Sequence, residues 1–376
     1  MMKKLIFTSV LIGSVSFAIN YEYPYIYKEP RVMGMGGAYV AVGGTSASLF
    51  YNPAGIGKIK KEAGFEVDLI GLTASISRDG YNFIEDFQDA LNADDQLTAV
   101  NDVLKKYRGK NLHFSLSTFP SIARRFEKLS FALGGIMNFK FDAIPHQGFG
   151  SEGLLSVDTS LTYGSIGGIS YSFMKNRFIL GVSIKHLRRE LISKDFTARE
   201  LVENQDNIES YITDQLIRSG SATSFDIGVI YDLPDFIEFK PSLGASYMNV
   251  NNLDFGEAGT IPGTLNVGFA LKKERTNVKF FKQFIFAFDV VDITQNYEQD
   301  RDFGKRLRAG MEFSVWSGKL SDFFLRFGSY QGYWTAGAEL RLLLLRIVAT
   351  TYGEEIGAYS GQDENRRYML SAYVTW

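Results

Sequence analysis

The chain has 376 residues and a formal net charge of −2, so it offers no basic field that could hold nucleic acid. It contains no Cys, which excludes disulfides and Cys-type metal sites, but it has 31 Phe, 20 Tyr and 37 Gly. Aromatic residues suit the interface girdles of a membrane β-barrel and Gly suits bends in a curved sheet, whereas a mean hydropathy of −0.06 argues against a bundle of membrane helices.

Residues 1–18 have the pattern of a secretory signal peptide. Lys3 and Lys4 precede an apolar stretch, and Ser16 and Ala18 form a small-residue cleavage site. The apolar stretch is shorter than the roughly 20 residues that a membrane-spanning helix needs, so an anchoring helix is the less favoured alternative. We expect cleavage after Ala18 and export.

Residues 31–57 are rich in Gly and include the turn-forming pair Asn52-Pro53. So much Gly disfavours both a regular helix and a strand. An irregular segment needs neighbours that satisfy its backbone, and Gly permits close approach. We therefore predict that residues 19–60 are pressed against a surrounding wall.

The run Gly34-Met35-Gly36-Gly37-Ala38, followed by Val40-Ala41, Ser46, Ala47 and Asn52-Pro53-Ala54-Gly55, resembles the amino-terminal signature of the FadL/TodX family. Members of that family are outer-membrane barrels that carry long-chain fatty acids or aromatic hydrocarbons inward, with the amino-terminal segment folded inside the barrel as a hatch. The resemblance implies that Gly34, Gly36, Gly37, Asn52, Pro53 and Ala54 hold or gate such a hatch. Relatives with a similar opening include barrels associated with secretion or conjugation systems.

From residue 61 onward, apolar residues recur at every second position, which is the period of β-strands. The candidate strands are 63–77, 111–123, 128–141, 155–172, 177–191, 221–232, 238–249, 262–273, 282–292, 304–316, 321–330, 332–341, 343–354 and 365–376. Long and short connections alternate along most of the chain, as in barrels with long outer loops and short periplasmic turns. We therefore predict that residues 61–376 form a closed, all-β, antiparallel transmembrane barrel of about 14 strands.

The two longest connections, 78–110 and 192–220, contain helical spacing and are expected to cap the mouth of the barrel. Their apolar residues could line a groove that collects substrate, and packing of a short helix on its own loop explains them equally well.

The last strand places Tyr368, Leu370, Ala372, Val374 and Trp376 on one face and more polar residues on the other. This strand resembles the carboxy-terminal signal that outer-membrane assembly machinery recognises, so Trp376 is expected to guide insertion. An ordinary amphipathic edge strand is the alternative.

The same alternation assigns charged side chains to the lumen. On the carboxy-terminal wall it turns inward Arg306, Arg308, Arg326 and Arg346, with Arg341, Arg367, Glu312 and Glu339. An Arg fork can hold the carboxylate of a ligand through two hydrogen bonds. The alternative, which we favour, is an ion-pair network that fills the barrel, because each buried charge needs a partner.

Gly134 and Gly135 are adjacent within the third candidate strand. Paired Gly residues inside a strand often mark a bulge or kink. In the family that the hatch resembles, a kink in the third strand opens the wall sideways, so these residues are candidates for a lateral opening. Plain barrel curvature is the alternative.

Catalysis finds little support, because His113 with Ser115 is the sole adjacent Ser–His arrangement, and we predict no enzyme activity, no metal and no cofactor. The resemblance instead implies a passive, hatch-gated transporter of long-chain fatty acids or other small hydrophobic compounds in a Gram-negative-type outer membrane. Its expected partners are outer-membrane lipid, a hydrophobic ligand and the assembly machinery. The alternative is a non-transporting barrel that serves a secretion or conjugation system, and a charged lumen without an apolar pocket favours that alternative.

Overall fold

The computed structural model describes residues 22–147, 153–204, 217–274, 282–297, 302–318 and 320–376, so the predicted signal peptide lies outside the described residues. The strands are β1 Phe65–Ser77, β2 Leu112–Thr118, β3 Ser121–Arg125, β4 Leu129–Gln147, β5 Gly153–Phe173, β6 Phe178–Thr197, β7 Arg218–Asp232, β8 Lys240–Met248, β9 Leu253–Asp254, β10 Thr260–Ile261, β11 Thr264–Lys273, β12 Gln283–Val290, β13 Leu307–Ser317, β14 Ser321–Tyr330, β15 Tyr333–Leu342, β16 Leu345–Glu355 and β17 Glu364–Thr375. The α-helices are α1 Pro30–Gly34, α2 Gly80–Leu91, α3 Gln96–Lys106 and α4 Ala198–Glu203.

The strands form a closed antiparallel barrel. β2 and β3 together make one barrel strand and β9 and β10 form a separate hairpin, which leaves 14 strands around the barrel. β17 pairs with β1 and closes the sheet. The predicted fold class is therefore confirmed.

Most strand bounds match the prediction closely, but β4, β5 and β6 are longer than predicted. β4 continues to Gln147 and β6 to Thr197, past the predicted ends at 141 and 191. Alternation marks a strand only where one face contacts apolar surroundings and the other does not. These strand ends project beyond that zone, so their pattern is weaker.

Large apolar side chains cover the outward face of the wall. Leu72, Leu133, Ile169, Val182 and Leu370 are between 48% and 60% exposed. A soluble protein rarely exposes so continuous an apolar surface, whereas the wall of a membrane barrel requires it. Within the described ranges, no helix is long and apolar enough to cross a membrane.

The barrel has two unlike ends. At the short-turn end, tight turns join β3 to β4, β5 to β6, β13 to β14 and β15 to β16, with a slightly longer turn between β7 and β8. The long-loop end carries α2, α3, α4 and the β9–β10 hairpin. This division reproduces the predicted alternation of connection lengths.

Helices α2 to α4 lie outside the wall rather than across the mouth, where they were expected. Their buried residues pack with Leu112, Ala143 and Leu155. In the strand registers these three positions share the face of the lipid-facing residues Leu116 and Met137. The helices therefore extend the wall above the apolar zone and leave the mouth to other elements.

Candidate functional site: the hatch and the two walls of the lumen

Residues 22–60, here called the hatch, lie inside the barrel. Helix α1 begins at Pro30, and the carboxylate of Glu29 accepts a hydrogen bond from Val32 N at 2.9 Å as its N-cap. Two 3₁₀ helices, Ser46–Phe50 and Pro53–Lys58, follow. The remainder is irregular, in keeping with its Gly content.

Polar side chains of the wall satisfy the backbone of the hatch. Hydroxyl groups donate to hatch carbonyl oxygens in four places: Thr350 to Pro30 (2.9 Å), Thr335 to Gly34 (3.0 Å), Ser242 to Ala41 (3.1 Å) and Ser246 to Tyr51 (2.7 Å). The carboxylate of Asp289 accepts from the amides of Tyr39 at 2.5 Å and Val40 at 2.8 Å. Since these donors and acceptors come from β8, β12, β15 and β16, the hatch is held from several sides.

Glycines of the wall allow this close approach, and sequence reasoning did not single out their role. Three pairs face each other across neighbouring strands: Gly181 and Gly228, Gly244 and Gly268, and Gly310 and Gly328. A Cβ atom at Gly228 would lie 1.9 Å from Asn52 Oδ1, and one at Gly310 would lie 2.1 Å from Met35 O. Any larger residue would push the hatch off the wall. An inward-facing Gly at a similar depth in successive strands was the available signal.

Of the hatch glycines predicted from the resemblance, Gly36 and Gly37 have φ values of 65° and 77°. A Cβ atom at Gly36 would lie 2.2 Å from Ala309 O, while Gly34 faces Arg326 at 3.3 Å. Both the conformation and the close approach therefore require Gly at position 36.

Asn52, Pro53 and Ala54 lie where the hatch meets β6, β7 and β8. Asn52 Oδ1 accepts from Ala54 N at 3.0 Å, and Asn52 Nδ2 donates to Val40 O at 2.8 Å and to Val229 O at 3.1 Å. Pro53 opens the second 3₁₀ helix. One side chain thus links two parts of the hatch to the wall.

The carboxy-terminal wall contains a network of buried ion pairs that reaches into the hatch. Arg31 of the hatch binds Glu312 through two hydrogen bonds of 2.7 and 2.8 Å. Arg326 binds Glu312 and Glu339, each at 2.6 Å, and Arg326 and Glu339 are fully buried. Arg341 also binds Glu339, at 2.5 Å. The hatch is therefore tied to β13, β14 and β15 by charge as well as by hydrogen bonds.

The other three candidate arginines differ from one another. Arg306 binds Asp292 at 3.2 Å, and Arg346 lies 3.8 Å from Glu29 and 3.9 Å from the ring of Tyr373. Arg308 forms no ion pair with a described residue. Its guanidinium donates to the carbonyl oxygens of Lys305 and Leu307 and lies 4.0 Å from the ring of Tyr330. Arg308 faces the carboxylate of Asp289 across the β12–β13 ladder without forming an ion pair, so among these arginines it would give up the least to bind an anionic ligand.

The amino-terminal end of the hatch is held by a second charged cluster. Glu22 binds Arg367 at 2.8 Å, Lys28 at 3.1 Å and Lys140 at 3.6 Å. His113 Nδ1 lies 2.7 Å from Asp142, so the described partner of this imidazole is a carboxylate and not Ser115. The arrangement lacks the nucleophile–base hydrogen bond that a serine hydrolase needs.

The opposite part of the lumen is apolar. A cluster of buried side chains extends from the β9–β10 hairpin at the long-loop end down to the hatch. Its members include Leu253, Phe255 and Ile261 of the hairpin, Leu187, Ile166 and Ile136 of the wall, Phe119, and Tyr27, Leu49 and Ile56 of the hatch. All are 8% exposed or less, so they pack against one another. We call this set the apolar column.

The wall is interrupted beside the lower part of the apolar column. β1 pairs with β3 up to Asp68 and with β2 from Thr73, and the ladder is broken over residues 69–72. Pro120, between β2 and β3, has no N–H to donate. Phe119 lies behind this break and contacts Phe50 with ring centroids 4.7 Å apart.

Gly134 and Gly135 lie opposite this break and not within one of their own. Pairing of β4 with β5 continues through both residues. A Cβ atom at Gly134 would lie 2.5 Å from the ring of Phe119, whereas one at Gly135 would meet only Gly164 O at 3.8 Å. The interruption thus belongs to the second barrel strand, and Gly134 makes room for the aromatic ring behind it.

Trp376 lies at the short-turn end, where its side chain is 81% exposed. Its backbone exchanges hydrogen bonds of 2.7 and 2.8 Å with Val67 and so takes part in closing the barrel.

No protein-family model and no curated protein sequence matches the chain. Among solved structures, the toluene transporter TodX of Pseudomonas putida gives a TM-score of 0.52 at 10% identity, over 95% of this chain and 98% of TodX. A TodX deltaS2S3 mutant, described as a monoaromatic hydrocarbon channel, gives 0.53 at 9% identity, over 94% and 98%. Identity this low carries information on the fold alone. The resemblance predicted from the hatch residues is thus confirmed at that level: the chain folds similarly to the TodX channels.

Proposed function

We propose that this protein is an outer-membrane channel through which a small, neutral hydrophobic compound diffuses passively. The observation that carries the proposal is the apolar column, which connects the long-loop end to the broken part of the wall. Apart from the Tyr27 hydroxyl, which lies 3.4 Å from that of Tyr373, its side chains contact one another without directional partners, so a hydrophobic molecule could replace those contacts at small cost. TodX, whose fold is similar, is described as a toluene transporter.

A neutral compound fits the lumen better than a long-chain fatty acid. Arg306, Arg326 and Arg346 already face carboxylates of the protein. A fatty acid would have to compete with those buried pairs, and an uncompensated buried charge is costly. The proposed exit is the break in the wall beside Phe119, and the proposed gate is the part of the hatch that packs on the apolar column.

A non-transporting barrel is the second candidate, because the side chains of the apolar column are packed against one another and much of the described lumen is charged. Passage therefore requires the column to open.

Uptake of a labelled aromatic hydrocarbon by Gram-negative cells that carry the protein tests this requirement. Leu187→Ala, in the column, should speed uptake, whereas Leu180→Ala, on the lipid-facing side of the same strand, should not. Uptake no faster than in cells without the protein, for parent and variant alike, would favour the accessory barrel.

A further inference from the structure

We propose that the short-turn end carries an apolar anchoring ring that inserts into the head-group layer of an adjoining anionic phospholipid leaflet. The ring consists of the turn residues Phe126, Met174, Phe236, Ile237, Leu320, Leu343 and Leu344. This inference requires only that the barrel spans a membrane and holds whether or not the barrel transports a compound.

Three of these residues expose large apolar side chains from an unfavourable backbone conformation. Met174, Ile237 and Leu343 have φ values of 47°, 57° and 53° and are 73%, 76% and 74% exposed. Residues with a Cβ atom rarely adopt this left-handed region, and β-branched Ile is especially disfavoured there. Gly or Asn would make these turns at lower cost. Turn stability therefore does not explain the choice of residue.

The long-loop end shows which residue types occupy left-handed turn positions elsewhere in the same chain. Among the described residues, its left-handed positions other than Gly are held by Asn249, Asn252, Asp292, Gln295 and Gln331. All five are polar. The short-turn end also has polar residues in this region, at Lys175, Asn176 and Glu238, but it alone adds apolar ones. The difference points to a contact made only at that end.

The distribution of the ring around the barrel indicates that it contacts lipid. Exposed apolar turn residues recur around the barrel, with Phe126 at 44%, Phe236 at 66%, Leu320 at 67% and Leu344 at 53% exposed. The ring is continuous with the lipid-facing wall through aromatic residues such as Phe173, Phe178 and Tyr231, whose rings contact in sequence. A leaflet surrounds a barrel on all sides, whereas a protein partner would dock on one part of it.

The charge of this end fits anionic head groups. Among the described residues of this end, exposed basic residues outnumber exposed acidic ones. The basic residues are Lys60, Lys61, Lys128, Lys175, Arg177, Lys240 and Lys282, and the acidic residues are Glu62, Glu127, Asp235, Glu238 and Glu274. Lys175 and Arg177 follow Met174 in the same turn and form no ion pair with a described residue. Basic groups beside apolar ones at a membrane surface bind phospholipid phosphates while the apolar groups enter the interface.

The native tryptophans allow a direct test. Trp316 and Trp376 lie at the short-turn end, so in a Trp334→Phe background they report its depth in vesicles of phosphatidylglycerol and phosphatidylcholine. Quenching is measured with lipids brominated near or far from the head group. In the variant Met174→Asn, Ile237→Asn, Leu343→Asn the reporters should move towards water, and the ratio of deep to shallow quenching should fall about twofold. Tyr81→Asn with Ile84→Asn, exposed apolar residues at the other end, should not alter that ratio.

The triple variant should melt at the same temperature as the parent or higher, because Asn tolerates the left-handed region better. If it does not fold, Leu343→Asn alone gives the same readout from a two-residue turn. Equal quenching profiles for parent and folded variant would overturn the lipid anchor and leave the ring as a surface for a periplasmic protein.

Discussion

The two walls of the lumen hold the hatch through different interactions: ion pairs on one side and apolar contacts on the other. On the carboxy-terminal side, Arg31, Glu312, Arg326 and Glu339 form a chain of charge pairs in which each group fixes its neighbour. On the other side, Phe119 and Ile56 belong to a cluster whose contacts have no direction. Breaking a buried ion pair strands a charge, whereas sliding one apolar surface past another does not. The charged wall therefore fixes the hatch, and the apolar wall is the side along which the proposed hydrophobic compound would pass.

The largest expected effect comes from breaking the charged wall. Arg326→Met removes a fully buried guanidinium and leaves two buried carboxylates, Glu312 and Glu339, short of a partner. We expect the free energy of unfolding to fall by about 3–5 kcal/mol. Thermal unfolding in detergent, followed by the shift in electrophoretic migration of the folded barrel, measures the loss. Arg341→Met, at a partly exposed member of the network, should cost far less, and comparable losses would show that burial of the pair is not what matters.

The second prediction concerns the joint between hatch and wall. Asn52→Ala with Pro53→Ala removes several hydrogen bonds, each of about 1 kcal/mol, while the barrel strands remain paired. In planar bilayers this variant should open frequently where the parent is nearly silent. Asn101→Ala, on the external helix α3, serves as the control. A parent that conducts steadily, or a double variant as silent as the parent with unchanged uptake, would contradict the hatch assignment.

The barrel could be predicted from the sequence because lipid imposes strict alternation on every strand that it contacts. The predicted strand 321–330 coincides with β14 for this reason. The interruption at Phe119-Pro120 was not predicted, because apolar alternation continues through the predicted strand 111–123, although Pro120 inside that strand was the available signal. Breaks in pairing depend on the neighbouring strand, which a single segment does not encode.

Inward-facing arginines could be assigned by parity, but their partners could not. Arg326 pairs with residues 14 and 13 positions away, which strand register alone brings together. Arg31 pairs with Glu312, which is 281 residues away in the sequence, only because the hatch folds back into the lumen. For the same reason, the contacts that Asp289 and the wall glycines make with the hatch could not be predicted. Their role exists only once hatch backbone lies against them.

The third prediction tests the apolar side through two adjacent glycines. Gly134→Ala places a methyl group 2.5 Å from the Phe119 ring, so the ring must shift beside the break in the wall. We expect a loss of stability of about 1–3 kcal/mol and a changed rate of hydrocarbon uptake. Gly135→Ala, where there is space, should change neither. Equal rates of hydrocarbon uptake by the two variants would show that Phe119 and the break in the wall are not part of the transport route.

The smallest expected effect belongs to Arg308, the candidate arginine that forms no ion pair with a described residue. If a ligand carboxylate binds in the lumen, Arg308 is the group best able to receive it, since it would not have to abandon an ion pair. Arg308→Gln keeps a hydrogen-bond donor for the carbonyl oxygens of Lys305 and Leu307 and removes only the charge. For a channel of neutral compounds, binding of a fatty acid and of a hydrocarbon of equal length should change equally and slightly. A loss of tenfold or more, about 1.4 kcal/mol, confined to the fatty acid would instead place a carboxylate site on the charged wall and reverse the proposed choice of substrate.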